Sequence, residues 1–191
     1  MTKFRGGRHF STYVIADANS GVLGFVDIAV DLHPGTFVQQ AMKGPIRPQR
    51  SAIWFDTTFP SLGISLPDAE RNLDILSDSD KMEKWSSPAK QSLAISWLGY
   101  EPWQADLSVC GQSGCYRKPL AHRVALLVRQ FMNHAKRQTG ACPSLPIGSN
   151  GITADDIVLI GLVEVDAVAG TWQPIFRLRS WFAEPQAYNL W

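Results

Sequence analysis

The chain has 191 residues, of which 45% are hydrophobic and 18% are charged, which suits one globular domain with a sizeable core. The formal net charge is only +1, so the overall charge identifies no partner. The first ten residues lack an apolar core region, so no signal peptide is predicted. The longest apolar stretch is about a dozen residues, too short to cross a bilayer as a helix, and no membrane partner is expected.

The N-terminus carries a small basic cluster made of Lys3, Arg5 and Arg8. We predict a short basic arm over residues 1–9, followed by a single globular domain over residues 10–191. One interpretation of the arm is contact with phosphate groups. The simpler alternative is a frayed terminus without a partner.

Two strands around a turn are predicted from Phe10 to Val30, because β-forming residues flank the turn-forming sequence D-A-N-S-G at 17–21. This hairpin is similar to the first hairpin of ribonuclease H-like enzymes, in which an aspartate binds Mg²⁺. Asp17 alone does not make such a site, because it needs several converging carboxylates. Ser51 to Phe59 predicts a further strand.

A helix is predicted to begin near Ser65, which can cap it, with Pro67 in the first turn and Asp68 near the positive end of the helix dipole. The segment from 68 to 83 concentrates acidic residues, and the ordinary interpretation is a solvated face. These residues are Asp68, Glu70, Asp74, Asp78, Asp80 and Glu83.

Leu93 to Tyr100 predicts a strand, which Glu101-Pro102-Trp103 should end. From Leu107 to Ala154 no acidic residue occurs. This acid-free segment contains an amphipathic helix, predicted over Pro119 to Gln138, whose apolar residues recur at spacings of three and four. If the polar face of that helix is exposed, its cations are candidates for phosphate contact, and the alternative is an ordinary solvated helix surface. The cations of the segment are Arg117, Lys118, Arg123, Arg129, Lys136 and Arg137.

All three cysteines lie in this region, and an odd number argues for a reducing compartment and against a disulfide framework. An alternative interpretation is a zinc site made by Cys110, Cys115 and Cys142, with His122 and His134 between them. The four-residue gap in C-G-Q-S-G-C is wide for zinc, and both histidines fall on the helix. The prediction therefore includes no metal and no cofactor.

The sequence G-Q-S-G at 111–114 resembles the nucleophile loop of chymotrypsin-like serine proteases, whose chain order His33, Asp56, Ser113 would match. The resemblance implies that Ser113 is the nucleophile. Gln112 departs from the family, which has an acidic residue there, and a long helix follows where that fold needs strands. The protease remains the alternative hypothesis, and no catalytic residue is predicted.

The strongest core signal is Asp155 to Trp181, which predicts two strands joined by a turn near Ala169-Gly170-Thr171. The first half of the first strand is apolar on both faces, as in a strand buried on both sides, and its second half should reach water on one face. Gly161 indicates a bulge or a close backbone approach.

Repeated strands, turn signals and one or two helices in the connections predict a mainly β fold, an antiparallel β-sandwich of jelly-roll type. The segments G-F-V-D-I-A-V-D-L-H-P-G-T-F, S-L-A-I-S-W-L-G-Y-E-P-W and D-I-V-L-I-G-L-V-E-V-D-A resemble successive strands of single jelly-roll coat proteins of small non-enveloped RNA viruses. The resemblance implies a capsid protein that self-assembles in a virion, after assembly in the host cytoplasm. It implies copies of the chain as partners, together with non-specifically bound nucleic acid, here RNA.

Seven tryptophans favour large buried contacts between copies. Many such coats have a long Arg-rich arm, whereas this chain has three cations there, so we expect the basic helix to supply the remaining positive surface. The predicted nucleic-acid-binding residues are therefore Lys3, Arg5, Arg8, Arg117, Lys118, Arg123, Arg129, Lys136 and Arg137. A monomeric nucleic-acid-binding module that uses the helix at 119–138 is the other alternative.

Overall fold

The computed structural model describes residues 2–5, 8–17, 21–30, 52–58, 63–85, 90–97, 99–107, 114–138 and 146–178, with the backbone alone described in the first three ranges. These residues form eleven strands, two α-helices and a 3-10 helix at Ala154–Asp156. In chain order they are β1 (Thr2–Arg5), β2 (Arg8–Asp17), β3 (Gly21–Val30), β4 (Ala52–Trp54), β5 (Ile64–Ser65), α1 (Leu66–Glu70), β6 (Met82–Lys84), β7 (Ser92–Ile95), β8 (Trp103–Asp106), β9 (Gly114–Tyr116), α2 (Arg117–Ala135), β10 (Ile157–Asp166) and β11 (Thr171–Leu178).

The strands form three sheets in the described part of the chain. One has the order β1-β2-β3, another has the order β4-β10-β11-β7-β8 with β5 also paired to β10, and the third is the pair β6-β9. Every pairing between these strands is antiparallel except that of β11 with β7, which is parallel. The prediction of a mainly β structure with antiparallel sheets and helices in the connections is therefore confirmed.

Strand β10 is the centre of the largest sheet, with β11 on one side and both β4 and β5 on the other. Nine of its ten residues are buried, so burial on both faces is confirmed. The expectation that its second half reaches water is wrong at Glu164, which is only 6% exposed. The pairing register shifts between Leu159 and Gly161, which interrupts the alternation of faces, so Leu162 rather than Val163 joins Ile157 and Leu159 in the main core.

Gly161 is required by a close backbone approach, as its position in the strand predicted. A Cβ atom at Gly161 would lie 2.4 Å from the carbonyl oxygen of Ile53 in β4, which is shorter than any real contact. The missing side chain therefore allows β4 to pair with β10 at this point.

Helix α2 covers one face of the large sheet with the apolar stripe that the sequence predicted. Its Phe131 ring lies 6.2 Å from that of Trp97, and the Trp97 ring lies 6.1 Å from that of Phe176 in β11. All three side chains are fully buried, and each stabilises the fold by about 2–3 kcal/mol through the apolar area removed from water. None of the described helices is long and apolar enough to cross a membrane.

The shorter elements depart from the predictions. Helix α1 begins as expected, with the Asp68 amide donating to Ser65 Oγ at 3.2 Å, but it ends at Glu70. The strand predicted over 93–100 ends at Ile95. Trp103 was expected to follow the end of a strand, yet it begins β8. Elements of two to four residues are too short to show a period, so tertiary pairing decides them.

Candidate nucleic-acid interface

The cations of the acid-free segment lie on and beside α2, because the apolar stripe of that helix is buried and its other faces remain available. Phosphate contact requires these cations to be exposed and free of intramolecular anions. The exposure and the acidic neighbours of each cation therefore determine whether it can bind a polyanion.

Arg117, in the first turn of α2, is turned into the protein rather than toward solvent. Arg117 is 7% exposed, and its Nε donates to Glu83 Oε1 in β6 at 2.5 Å. A weaker contact joins its Nη1 to Asp78 Oδ2 at 3.9 Å. Because its guanidinium already binds a carboxylate, Arg117 is a poor candidate for binding a phosphate.

Lys118 and Arg129 are also paired with acidic residues. Lys118 Nζ lies 3.4 Å from Asp74 Oδ1. Arg129 Nε donates to Glu70 Oε1, and its Nη2 lies 3.5 Å from Asp155 Oδ1. The hydrogen bond to Glu70 is the main reason why the pKa of Arg129 is raised above its ordinary value. The guanidinium is therefore charged at every pH at which proteins fold.

The remaining polar side chains at the start of α2 have backbone partners. Arg123 Nη2 donates to the carbonyl oxygen of Asp106 at 2.9 Å. His122 Nδ1 lies 3.1 Å from the carbonyl oxygen of Ala69, which makes this nitrogen the donor. These bonds orient both side chains toward the protein.

The acidic segment at 68–83 is more than the solvated face that the sequence suggested. Four of its six acids contact cations of α2, namely Glu70, Asp74, Asp78 and Glu83. Asp68 accepts a hydrogen bond from Ser65 Oγ at 2.5 Å and so completes the cap of α1. The acid-free segment therefore contacts the acid-rich segment at 68–83 through ion pairs.

Two of the predicted cations, Lys136 and Arg137, differ from the others. They follow the last residue of α2, both are exposed, and neither forms an ion pair with any described residue. His134 is exposed beside them. Cations at this position favour the negative end of the helix dipole, and they can still contact a solvent-borne anion.

The N-terminal cations lie within a sheet rather than on a frayed end. Arg5 is directly opposite Arg8, and Lys3 is directly opposite Phe10. Opposite residues share a face, as do residues two apart along a strand, so the register places Lys3, Arg5 and Arg8 on the same face of β1-β2. The opposite face carries mainly apolar residues, including Phe4, Tyr13, Ile15, Val26 and Ile28.

The structure gives no support to a zinc site that uses Cys115, because this cysteine is disulfide-bonded and a disulfide sulfur is not a thiolate ligand. Its partner is one of the other two cysteines, Cys110 and Cys142, which lie outside the described residues. The disulfide is a departure from the expectation that an odd number of cysteines argues against disulfides. Where the structure is described, it contains no group of three His, Cys, Asp or Glu residues able to hold a metal ion.

Two residues of the protease hypothesis, His33 and Ser113, lie outside the described residues, so the triad is not tested. Asp56 is described, and its carbonyl oxygen accepts from the Ser77 amide at 2.8 Å. The ribonuclease H-like metal residue, Asp17, ends β2, where only the backbone is described.

A shallow cleft of about 390 Å³ lies where β5 and the start of α1 meet the ends of β10 and β11. It is lined mainly by apolar side chains, with Ser65, Asp68 and Arg177 at its polar part. The Ser65 hydroxyl and the Asp68 carboxylate bond to each other, so both already serve the helix cap. The sequence did not predict this cleft, because its lining comes from four separate segments.

No protein-family model, curated protein or solved structure matches the chain.

Proposed function

We propose that the chain is a structural, coat-like protein that assembles with copies of itself and contacts nucleic acid without reading its sequence. The observation that carries the proposal is the placement of Arg5 directly opposite Arg8, with Lys3 on the same face. Like charges directly opposite each other destabilise a sheet unless an anion neutralises them. A phosphate backbone supplies such anions at regular spacing.

The end of α2 provides a second positive region. Lys136 and Arg137 are exposed there, whereas Arg117, Lys118 and Arg129 are held by acidic residues. We therefore narrow the expected nucleic-acid contacts to the N-terminal face and the end of α2. Contacts of this kind, made to phosphates alone, position a polyanion without discriminating between base sequences.

A jelly-roll-like sandwich, a virion as the site of action and RNA as the nucleic acid belong to the proposal. Burial of β10 on both faces supports a layered arrangement, because a central strand in a sheet with one solvated face would alternate between buried and exposed residues. The face of β1-β2-β3 opposite the three cations is mainly apolar, which supports a second layer that covers it. The face with the cations is mixed, since it also carries Phe10, Val14 and Phe25.

Assembly is tested by size-exclusion chromatography with light scattering, followed by electron microscopy of the purified chain with and without RNA. We expect species larger than the 21.1 kDa monomer, and closed particles when RNA is present. A chain that stays monomeric at every concentration, with and without RNA, would contradict the proposal. If such a monomer still binds nucleic acid, the binding-module alternative replaces the coat.

Nucleic-acid contact is tested with the double variant Arg5→Ala/Arg8→Ala and the matched variant Arg71→Ala/Lys90→Ala. Arg71 and Lys90 are exposed cations outside both positive regions, so each double variant removes the same charge. Lys90 Nζ lies 2.6 Å from Asp106 Oδ2 in an exposed ion pair, so Arg71→Ala alone, compared with Arg5→Ala alone, is the control without an ion pair to a described residue. We expect the first variant to reduce the slope of log K against log[salt] by about 1.4 for single-stranded RNA, and the second to leave it nearly unchanged. Equal slopes for the two variants would refute a specific role for the N-terminal face.

A further inference from the structure

We propose that Phe10 is a stacking platform for an unpaired base, on the face of β1-β2-β3 that carries Lys3, Arg5 and Arg8 (the cationic face). The inference rests on the proposed nucleic-acid contact and names the form of its ligand, which is single-stranded nucleic acid rather than a duplex. It is carried by the strand register, which places an aromatic residue among the three cations.

Phe10 is on the cationic face because the pairing of β1 with β2 aligns it with Lys3. Residues directly opposite each other in an antiparallel pair share a face, and residues two apart along a strand do so as well. Lys3 is opposite Phe10, and Arg5 is opposite Arg8. Phe10 is therefore adjacent to one cation across the sheet, Lys3, and to another along its own strand, Arg8.

The regular geometry of a sheet sets the spacing of this group. The Cα atom of Phe10 is about 5 Å from that of Lys3 and about 7 Å from that of Arg8. Arg5 lies on the diagonal, about 8 Å away, which long side chains still span. A nucleotide whose base stacks on Phe10 would therefore have its phosphate groups beside three cations.

The residue on the other side of Phe10 is small. Phe10 is opposite Ala29 in β3, which contributes only a methyl group at this position of the ladder. A larger residue there would compete with a base for the space beside the ring. The register thus combines an aromatic residue, three cations and a small neighbour at one end of one face.

The three strands also separate their charged residues by face. Before the register shift at Ile15 and Ala16, Asp27 is opposite Thr12 and so lies on the cationic face as well. No Lys, Arg, Asp or Glu of these strands falls on the other face in this region. A sheet packed on one side carries its polar residues on the other. The uncharged face therefore suits a covering layer, and the cationic face suits an outside partner.

The charges of this face favour a polyanion, because cations outnumber acids on it by three to one. Cations alone would favour a duplex, which has a higher charge density than a single strand. The bases of a duplex, however, are stacked on one another and reach a protein side chain only when they are flipped out at a cost. An unpaired base stacks on an aromatic ring whatever its sequence. A single strand is therefore the ligand that uses both the cations and Phe10.

Phe25 lies on the same face but away from the cations. It is opposite Val14, four residues beyond Phe10 on β2, so its Cα atom is about 14 Å from that of Phe10. Asp27 is two residues away from it along β3. Because the register places no cation of β1, β2 or β3 beside Phe25, we assign no base to it, and it serves as the matched control.

The first test compares ligands on the wild-type chain by fluorescence anisotropy. One ligand is an oligouridylate of about 12 nucleotides, within the range of site sizes of single-strand binders. The other is an abasic strand with the same number of phosphates. We expect the oligouridylate to bind about tenfold more tightly, because one stacked base raises affinity roughly five- to a hundredfold. The slope of log K against log[salt] should be the same for both strands, since their phosphates are the same.

A duplex with the same number of phosphates completes the comparison. We expect it to bind more weakly than the oligouridylate, although cations alone would favour it. A duplex that binds as tightly as the oligouridylate, or more tightly, would overturn the assignment of a single-stranded ligand.

The second test changes the ring. Phe10→Leu keeps an apolar side chain without the ring, so it should bind both strands with the affinity that the wild-type chain has for the abasic strand. Phe10→Tyr keeps the ring and should retain the preference for the oligouridylate, as should the control Phe25→Leu. A preference that survives in Phe10→Leu, or an equal loss of affinity for both strands, would overturn the assignment of Phe10.

A third measurement needs no variant. Ultraviolet irradiation crosslinks a uridine to an aromatic side chain on which it is stacked, and tandem mass spectrometry locates the modified residue. We expect the crosslink at Phe10 of the wild-type chain. Crosslinks found only at other residues would show that the platform lies elsewhere.

Failure of the platform and failure of the proposed function give different results. If the oligouridylate and the abasic strand bind equally well with the same salt dependence, the contact with phosphate stands and the stacking platform is wrong. If neither strand shows salt-dependent binding, the nucleic-acid contact of the proposed function fails together with the platform.

Discussion

Arg117 and Glu83 form a largely buried ion pair that joins the first turn of α2 to β6, with Arg117 Nε 2.5 Å from Glu83 Oε1. The two residues are 34 positions apart in the chain, and one comes from the acid-free segment and the other from the acid-rich segment. This pair is the most buried of the contacts that hold the two segments together, so it gives the sharpest test of whether the cations of α2 are structural.

We expect Arg117→Ala to destabilise the fold by about 3 kcal/mol, because it leaves the poorly exposed Glu83 carboxylate without its main partner. Urea denaturation would measure this change. Lys118→Ala is the matched control, since its partner Asp74 is 73% exposed and such surface pairs contribute less than about 1 kcal/mol. Similar losses in the two variants would show that the burial of Arg117 has no energetic consequence.

The end of α2 should behave differently in nucleic-acid binding. We expect Lys136→Ala/Arg137→Ala to lower the salt dependence of RNA binding by about 1.4 in slope, because both cations are exposed and free of described acids. Arg129→Ala should change the slope by less than about 0.3, since Glu70 and Asp155 already hold that guanidinium. Fluorescence anisotropy from low to high salt would separate the two, and a larger effect from Arg129 would reverse the assignment.

Gly161→Ala should destabilise the fold by about 2–4 kcal/mol, because its Cβ would lie 2.4 Å from the Ile53 carbonyl oxygen and would separate β4 from β10. Thermal unfolding would detect the change. Gly148→Ala serves as the control, since no atom lies within 4 Å of a Cβ built there and only its φ of +148° is strained. We expect a loss of about 1 kcal/mol for that control. Equal losses would show that the close approach at Gly161 is not limiting.

Reduction of the disulfide at Cys115 should lower the free energy of unfolding by about 2–4 kcal/mol. Cys115→Ser should reproduce the effect of reduction and make the chain insensitive to a reductant. Of Cys110→Ser and Cys142→Ser, only the variant that removes the true partner should match Cys115→Ser. Unfolding curves for the three variants, with and without a phosphine reductant, would identify the pair. No effect of reductant on the wild-type chain would contradict a stabilising bond.

The long elements were predictable because each repeats its signal several times. The hairpin of β10 and β11, the hairpin of β2 and β3, and helix α2 all appear within a few residues of their predicted positions. Ser65 and Gly161 were also predictable, since a cap and a close approach each have a characteristic residue type. For β6 and β9, each three residues long, no periodic pattern exists to find.

The charge layout was predicted only in part, because the sequence does not show which segments pack against each other. The sequence showed that cations and acids occupy different segments, but it did not show that β6 and α1 lie against α2. Once Glu70, Asp74 and Glu83 are placed beside Arg129, Lys118 and Arg117, an apparent binding face becomes mostly an internal contact. The bulge between Leu159 and Gly161 was indicated by Gly161, and it interrupts the alternation of faces along β10.

The central position of β10 also has a consequence for how the chain folds. Its partners β4 and β5 are made about a hundred residues earlier, and β7, which pairs with β11, is made about eighty residues before β11. Contacts between such distant parts of a chain make folding slow. During synthesis, the apolar residues of β4, β5 and β7 therefore remain without their partner strands until β10 and β11 have emerged from the ribosome. We expect this interval to make the nascent chain dependent on chaperones.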